Sequence, residues 1–212
     1  VTVADNLGAY TFGALTLYPL TYASGSLRVF ADGVLQPSPT VTAGPPLTVS
    51  ELTVPADGSL LLIYEAVVND FAPLGTEDTI VNTATVTGAG LLTPITVSAT
   101  IAAASGANLT VTKSIEPVPV SASGRVTYTF VIRNYGSTAV TAADTATITD
   151  TFDPALSGLT VTFDGVTWTS PAYYTYTGAV FTTVPGRITV PAATYTQDET
   201  TGTWTVTPGT AT

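Results

Sequence analysis

The 212-residue chain contains no cysteine, no histidine and no methionine, and Lys113 is its only lysine. Without thiol or imidazole there is no thiolate nucleophile, no histidine base for a serine, and none of the usual ligand sets of zinc or iron. Neither a cofactor nor a metal is therefore expected. Five basic residues face fifteen carboxylates, for a net charge of −10. Such a chain has little with which to neutralise phosphates, so nucleic acid and anionic lipid are not expected partners. Long apolar runs are also missing. The longest, Leu60 to Ile63 followed by Tyr64, is strand-sized, and membrane insertion is not expected. A chain that starts at Val1 and holds no methionine reads as a processed product or a fragment, in which no signal peptide can be recognised.

What is present points to β-structure. Hydrophobic residues make up 45% of the chain and charged residues 9%, a balance that belongs to a folded protein with an apolar core. Threonine supplies roughly a fifth of the residues and, with valine and tyrosine, sets a strong strand preference. Short alternating runs such as SLRVFA, LTVSELTV, TIVNTATVT, LTVTKSI, RVTYTFVIR and LTVTFDG recur along the chain. Turn signals punctuate them at Asp32-Gly33, Asp57-Gly58, Asp164-Gly165 and Pro185-Gly186. The expected fold is all-β, as two tandem immunoglobulin-like antiparallel β-sandwich modules.

The chain also repeats itself. FADGV (Phe30 to Val34) returns as FDGV (Phe163 to Val166), LTVPA (Leu52 to Ala56) as ITVPA (Ile188 to Ala192), and the opening VTVADNLG is echoed by ATITDTFDP (Ala146 to Pro154). The order is kept and one period exceeds half the chain. Residues 1–102 thus read as the later part of one module, 103–108 as a small, flexible linker, and 109–212 as the earlier and middle parts of the next. The first module is expected to want its opening strands and the second its closing one, leaving sheet edges completed either in cis, by further segments of a longer chain, or by a neighbour through strand addition.

The stretch LTVTKSIEPVPVSASGRVTYTFVIRNYGSTAVTAADTATITDTFDPAL resembles the conserved repeat of bacterial and archaeal surface proteins catalogued as domain-of-unknown-function eleven. The matching features are a lysine strand, a proline, a glycine before VTYTF, the RNYGST turn and the TITDTF strand. TIVNTATVTG, Thr79 to Gly88, is similar to that family's closing strand. The resemblance implies immunoglobulin-like sandwiches in tandem arrays on secreted, wall-bound or appendage proteins, and implies neither a reaction nor a ligand.

Alternation raises a question about Lys113, since Leu109, Val111, Lys113 and Ile115 share one face of their strand and that face is the apolar one. Asn82 likewise shares a face with Ile80, Ala84 and Val86, Asp150 with Ile148 and Phe152, and Asp5 with Val3 and Leu7. Inward Lys, Asp and Asn at recurring places resemble the intramolecular isopeptide bond of Gram-positive pilins and adhesins. There a lysine on the first strand joins an asparagine on the last beside a buried acid. The other reading makes Lys113 a rim residue with its head in water and the Asp and Asn residues local backbone binders. The phase of the repeat splits the set: Asp5 and Asn82 fall in one module, Lys113 and Asp150 in the next. Asn134, in VIRNYG, suits a turn better than a crosslink.

Trp168, Tyr173, Tyr174 and Tyr176 gather in VTWTSPAYYTYTG, where they serve either as core packing or as a platform for sugar rings. Asp70, Glu77 and Asp78 flank a Pro-Gly loop but match no calcium motif, and Asn108-Leu109-Thr110 fits the glycosylation acceptor pattern. Glu77 and Asp78 are adjacent, so on a strand they point to opposite faces and do not make a glycosidase pair. The expected function is structural, without catalytic turnover. The chain would be a building block of a surface layer, stalk or filamentous appendage whose partner is itself, head to tail. A glycan-binding adhesin module, with surface glycans as partner, is the alternative.

Overall fold

The computed structural model describes residues 1–75, 78–118 and 124–212. The chain is all-β, with several antiparallel sheets consistent with a β-sandwich. It divides into two compact units, Val1–Ala103 with Thr196–Thr205, and Ala104–Tyr195 with Val206–Thr212. The boundary at Ala103 falls in the expected linker. Residues 196–205, expected in the second module, group instead with the first unit.

The strands of the first unit are β1 (Thr2–Asp5), β2 (Tyr10–Phe12), β3 (Leu15–Leu17), β4 (Leu20–Tyr22), β5 (Arg28–Ala31), β6 (Val34–Leu35), β7 (Thr40–Thr42), β8 (Leu47–Ser50), β9 (Leu60–Ile63), β10 (Ala66–Val68), β11 (Thr79–Thr87) and β12 (Ile95–Ala102). One sheet runs β12-β11-β1-β8-β7 and another β6-β5-β9. Alternation decides what each buries: Leu47 and Val49 on β8 point inward while Thr48 and Ser50 do not. With Leu7, Leu20, Tyr22, Leu27, Val29 and Ile80 they form the first core. Residues Asp32 and Gly33 both take positive φ, at 48° and 81°, the geometry that lets a two-residue turn follow the strand twist between β5 and β6.

The second unit holds β13 (Leu109–Glu116), β14 (Thr127–Asn134), β15 (Thr149–Thr151), β16 (Val161–Phe163), β17 (Val166–Trp168), β18 (Tyr174–Thr177) and β19 (Val180–Thr183). A hairpin of β20 (Thr194–Gln197) and β21 (Trp204–Thr207) precedes β22 (Gly209–Ala211). Its sheets run β13-β14-β22 and β15-β19-β18. Several pieces repeat the first unit. Asp164 and Gly165 turn β16 into β17 with φ of 47° and 79°. Asp32 binds Ser59 through Asp32 N to Ser59 O (3.0 Å) and Ser59 N to Asp32 Oδ1 (2.7 Å), and Asp164 binds Thr212 in the same two ways, at 2.6 and 2.8 Å. The second core gathers Ile132, Val140, Phe152, Trp168, Phe181 and Val190.

Asn134 is fully buried at the end of β14. Its Oδ1 accepts from the backbone N–H groups of Asn108 (3.0 Å) and Gly136 (2.9 Å), while its Nδ2 donates to the carbonyls of Thr138 (2.8 Å) and Pro191 (3.0 Å). It serves the turn, as its place in VIRNYG suggests. Removing this side chain strands four backbone groups away from water. Asn134→Ala is expected to cost about 2–4 kcal/mol, read as a lower urea midpoint at unchanged slope. A loss below about 0.5 kcal/mol would contradict this assignment.

Candidate functional site

Each unit carries one inward aspartate at the same place in its sheet. Asp5 ends β1, opposite Leu47 of β8, and Asp150 lies on β15, opposite Phe181 of β19. Since β1-β8-β7 and β15-β19-β18 correspond in order, and the sequences around both aspartates echo each other, the two carboxylates are structural counterparts.

Asp5 is 6% exposed. Its Oδ1 accepts from Leu7 N at 2.8 Å, and its Oδ2 accepts from Asn82 Nδ2 at 2.9 Å. Asn82 sits on β11, one strand across, and its Oδ1 accepts from Gly8 N at 2.9 Å. Gly8 has φ of 72°, and a Cβ there would come within 2.3 Å of Ile80 Cγ2, so glycine is required for the turn that holds Asp5 and Asn82 together. Tyr64 completes the cluster. Burial, and then the adjoining Asp5 carboxylate, push its phenol up to about 12, with Asn82 acting weakly in the opposite direction.

Around Asp150 the arrangement differs. Lys113 Nζ reaches Asp150 Oδ2 at 2.5 Å across the space between β13 and β15. The ammonium lies 4.9 Å from the ring centre of Tyr128, 5.6 Å from that of Phe130 and 5.0 Å from that of Phe152, so its charge is met by one carboxylate and three ring faces. Its side chain is 39% exposed. Lys113 does share a face with the core residues of β14, through the pairs Val111↔Ile132 and Lys113↔Phe130. Yet Leu109 and Val111 on that face are 40% and 53% exposed, because β13 is the outer strand of its sheet. The apolar side of this strand faces inward without being covered.

The four residues singled out for an isopeptide pattern thus occur as two pairs, Asp5 with Asn82 and Asp150 with Lys113. In both, the partner reaches the Oδ2 of the aspartate. Tyr64, which adjoins the first pair, alternates with Leu60 and Leu62 onto one face in SLLLIYEAVV, and nothing local marks it as polar-facing.

Among the aromatic candidates, Trp168 and Tyr174 are buried. Trp168 is stacked between Phe163 at 4.9 Å and Tyr173 at 5.4 Å, Tyr174 packs on Phe181 at 5.3 Å, and Tyr176 accepts from Leu156 N at 2.8 Å. The faces a sugar would use are largely taken by neighbouring side chains. In the acidic loop, Glu77 lies outside the described residues, Asp78 Oδ2 accepts from Gly75 N at 2.9 Å, and the Asp70 carbonyl accepts from Trp204 N at 2.7 Å. No group of three potential metal ligands occurs among the described residues, and no described helix is long and apolar enough to cross a membrane.

In comparisons with known proteins, no family model, curated protein or solved structure matches the chain. The likeness to the surface-protein repeat rests on the residues quoted for it.

Two measurements probe these clusters. A phenol raised in the fold keeps its proton where the unfolded chain has lost it, so its contribution to stability is complete below pH 10 and declines as pH rises toward about 12. Ultraviolet titration should show one tyrosine ionising near 12, and Asp5→Asn should lower that value; an unchanged titration would remove Asp5 from the causes. For the second pair, a double-mutant cycle of Lys113→Met with Asp150→Asn should give a coupling of about 0.5–1 kcal/mol, discounted for the half-exposed ammonium and shrinking at high salt. A salt-independent coupling would contradict the ion pair.

Proposed function

We propose that the chain is a structural, extracellular repeat protein: two tandem immunoglobulin-like sandwich modules that serve as a building block of a surface layer, stalk or filamentous appendage, without catalytic turnover. The observation that carries this reading is the duplication itself. Counterpart aspartates, counterpart Asp-Gly hairpins and counterpart Asp–Ser and Asp–Thr backbone clamps recur in the same order in the two units. Modules repeated along one chain suit a scaffold role. The resemblance to surface-protein repeats supplies the extracellular placement.

The paired inward polar residues support a crosslinking role for the complete module. In such a step, an uncharged lysine amine attacks the side-chain carbonyl carbon of an asparagine. A new amide C–N bond forms, the old one breaks, and ammonia leaves with a proton delivered by the neighbouring aspartic acid. Lys113, Asp150, Asp5 and Asn82 are the residue types this needs.

Assembly is the testable part. Light scattering and negative-stain images of the purified chain should show extended head-to-tail polymers that lengthen with concentration, as heterologous contacts do not close. A folded monomer at high concentration would overturn self-assembly.

A further inference from the structure

We propose that the inward face of the first unit is a docking site for a β-hairpin that carries a single lysine. One strand of the hairpin pairs with the free edge of β9, and the lysine enters beside Asp5 and Asn82. This inference rests on the repeat-module reading and adds the occupant and the chemistry that recognises it.

The first observation is an uncovered apolar face. The register pairs Ile101 with Ile80, Ala99 with Asn82, Val97 with Ala84 and Ile95 with Val86, so all of these share the side of the sheet that holds Asp5. Farther along the same sheet, Leu47 and Val49 are nearly inaccessible. On β12, by contrast, Ile95, Val97 and Ile101 are 51%, 60% and 49% exposed. A sheet face that is core at one end and bare at the other is a site for further strands.

The second observation says which strands. β9 ends the β6-β5-β9 order, and its second edge is unpaired among the described residues. In the second unit, the clamp between Asp164 and Thr212 is the counterpart of the one between Asp32 and Ser59, so β22, which leads into Thr212, approaches the position β9 takes up after Ser59. There β14 pairs with β22 and β13 pairs with β14. A hairpin of the β13–β14 pattern is therefore what belongs beside β9.

Charge supplies the third. Asp5 is buried, yet the groups around its carboxyl are all neutral, the Leu7 N–H, the Asn82 amide and the Tyr64 phenol, and no cation forms an ion pair with it among the described residues. Its counterpart Asp150 has Lys113, held from β13. Covering the bare face with an all-apolar hairpin would leave Asp5 with neutral donors alone in a drier site. A hairpin with lysine at the register of Lys113, opposite a Phe130-like residue, covers the face and neutralises the carboxylate together.

The test titrates a synthetic peptide with the sequence of residues 108–134 into the 212-residue protein and follows the Asn82 side-chain amide by NMR. Saturable one-to-one binding that shifts this amide is expected. The peptide made with Lys113→Met should bind at least about tenfold more weakly, a comparison that leaves the protein untouched. Protein carrying Asp5→Asn should bind the two peptides equally. Absence of saturable binding, equal affinity of the lysine and methionine peptides for the unaltered protein, or shifts confined to the surroundings of Asp150 would overturn the proposal. Light scattering reads self-assembly separately, so lost hairpin binding and lost polymerisation are distinct results.

Discussion

A carboxyl group on the inward face of a sheet has to be compensated within the reach of one side chain, and both units are arranged around that requirement. In the first, the compensation is neutral and dense: a backbone N–H, an asparagine amide and a phenol surround Asp5, fixed by a turn that only glycine permits. In the second it is a cation set on a floor of three aromatic rings. The same strand position thus tolerates two solutions, because a carboxylate needs donors or positive charge and is indifferent to which element supplies them.

Little else in the protein is electrostatic. Only 9% of residues are charged, and the outer faces of the strands carry hydroxyls instead. Cross-strand pairs such as Thr83 with Ser98 at 2.8 Å and Thr85 with Thr96 at 3.3 Å line the outside of the β11–β12 ladder. Such pairs join β-branched stiffness to a modest hydrogen bond, which is how a threonine-rich chain keeps its strands in register with so few ions.

The local rules carried much of the reading. Period-two alternation located most strands, and Asp-Gly pairs marked both hairpins because two consecutive positive φ values are affordable for few other residues. The inward positions of Asp5, Asn82, Lys113 and Asp150 were also legible, since a strand leaves a side chain only two directions. Three things were not. Alternation assigns a face but not its cover, so the exposure of Val111 and Leu109 had no local signal. Tyr64 looked like one more apolar residue, because a phenol's partner is set by a strand far off in sequence. The hairpin tip at residues 196–205 gave no sign of belonging with residues near Val1, since a polar turn says nothing about where it packs.

That tip has a consequence for how the chain acquires its shape. Gln197 Nε2 lies 3.3 Å from the hydroxyl of Tyr10, and a Cβ on Gly202 would strike Leu17 Cδ1 at 2.3 Å, so the tip sits tightly on β2 and β3, strands that precede it by about 180 residues. A ribosome releases those strands long before it reaches Thr196. Until then their outer surface waits uncovered, and closing so long a loop is among the slowest contacts such a topology can make. Completion of the first unit therefore waits on residues 196–205, which are made only after β13 to β19 of the second unit.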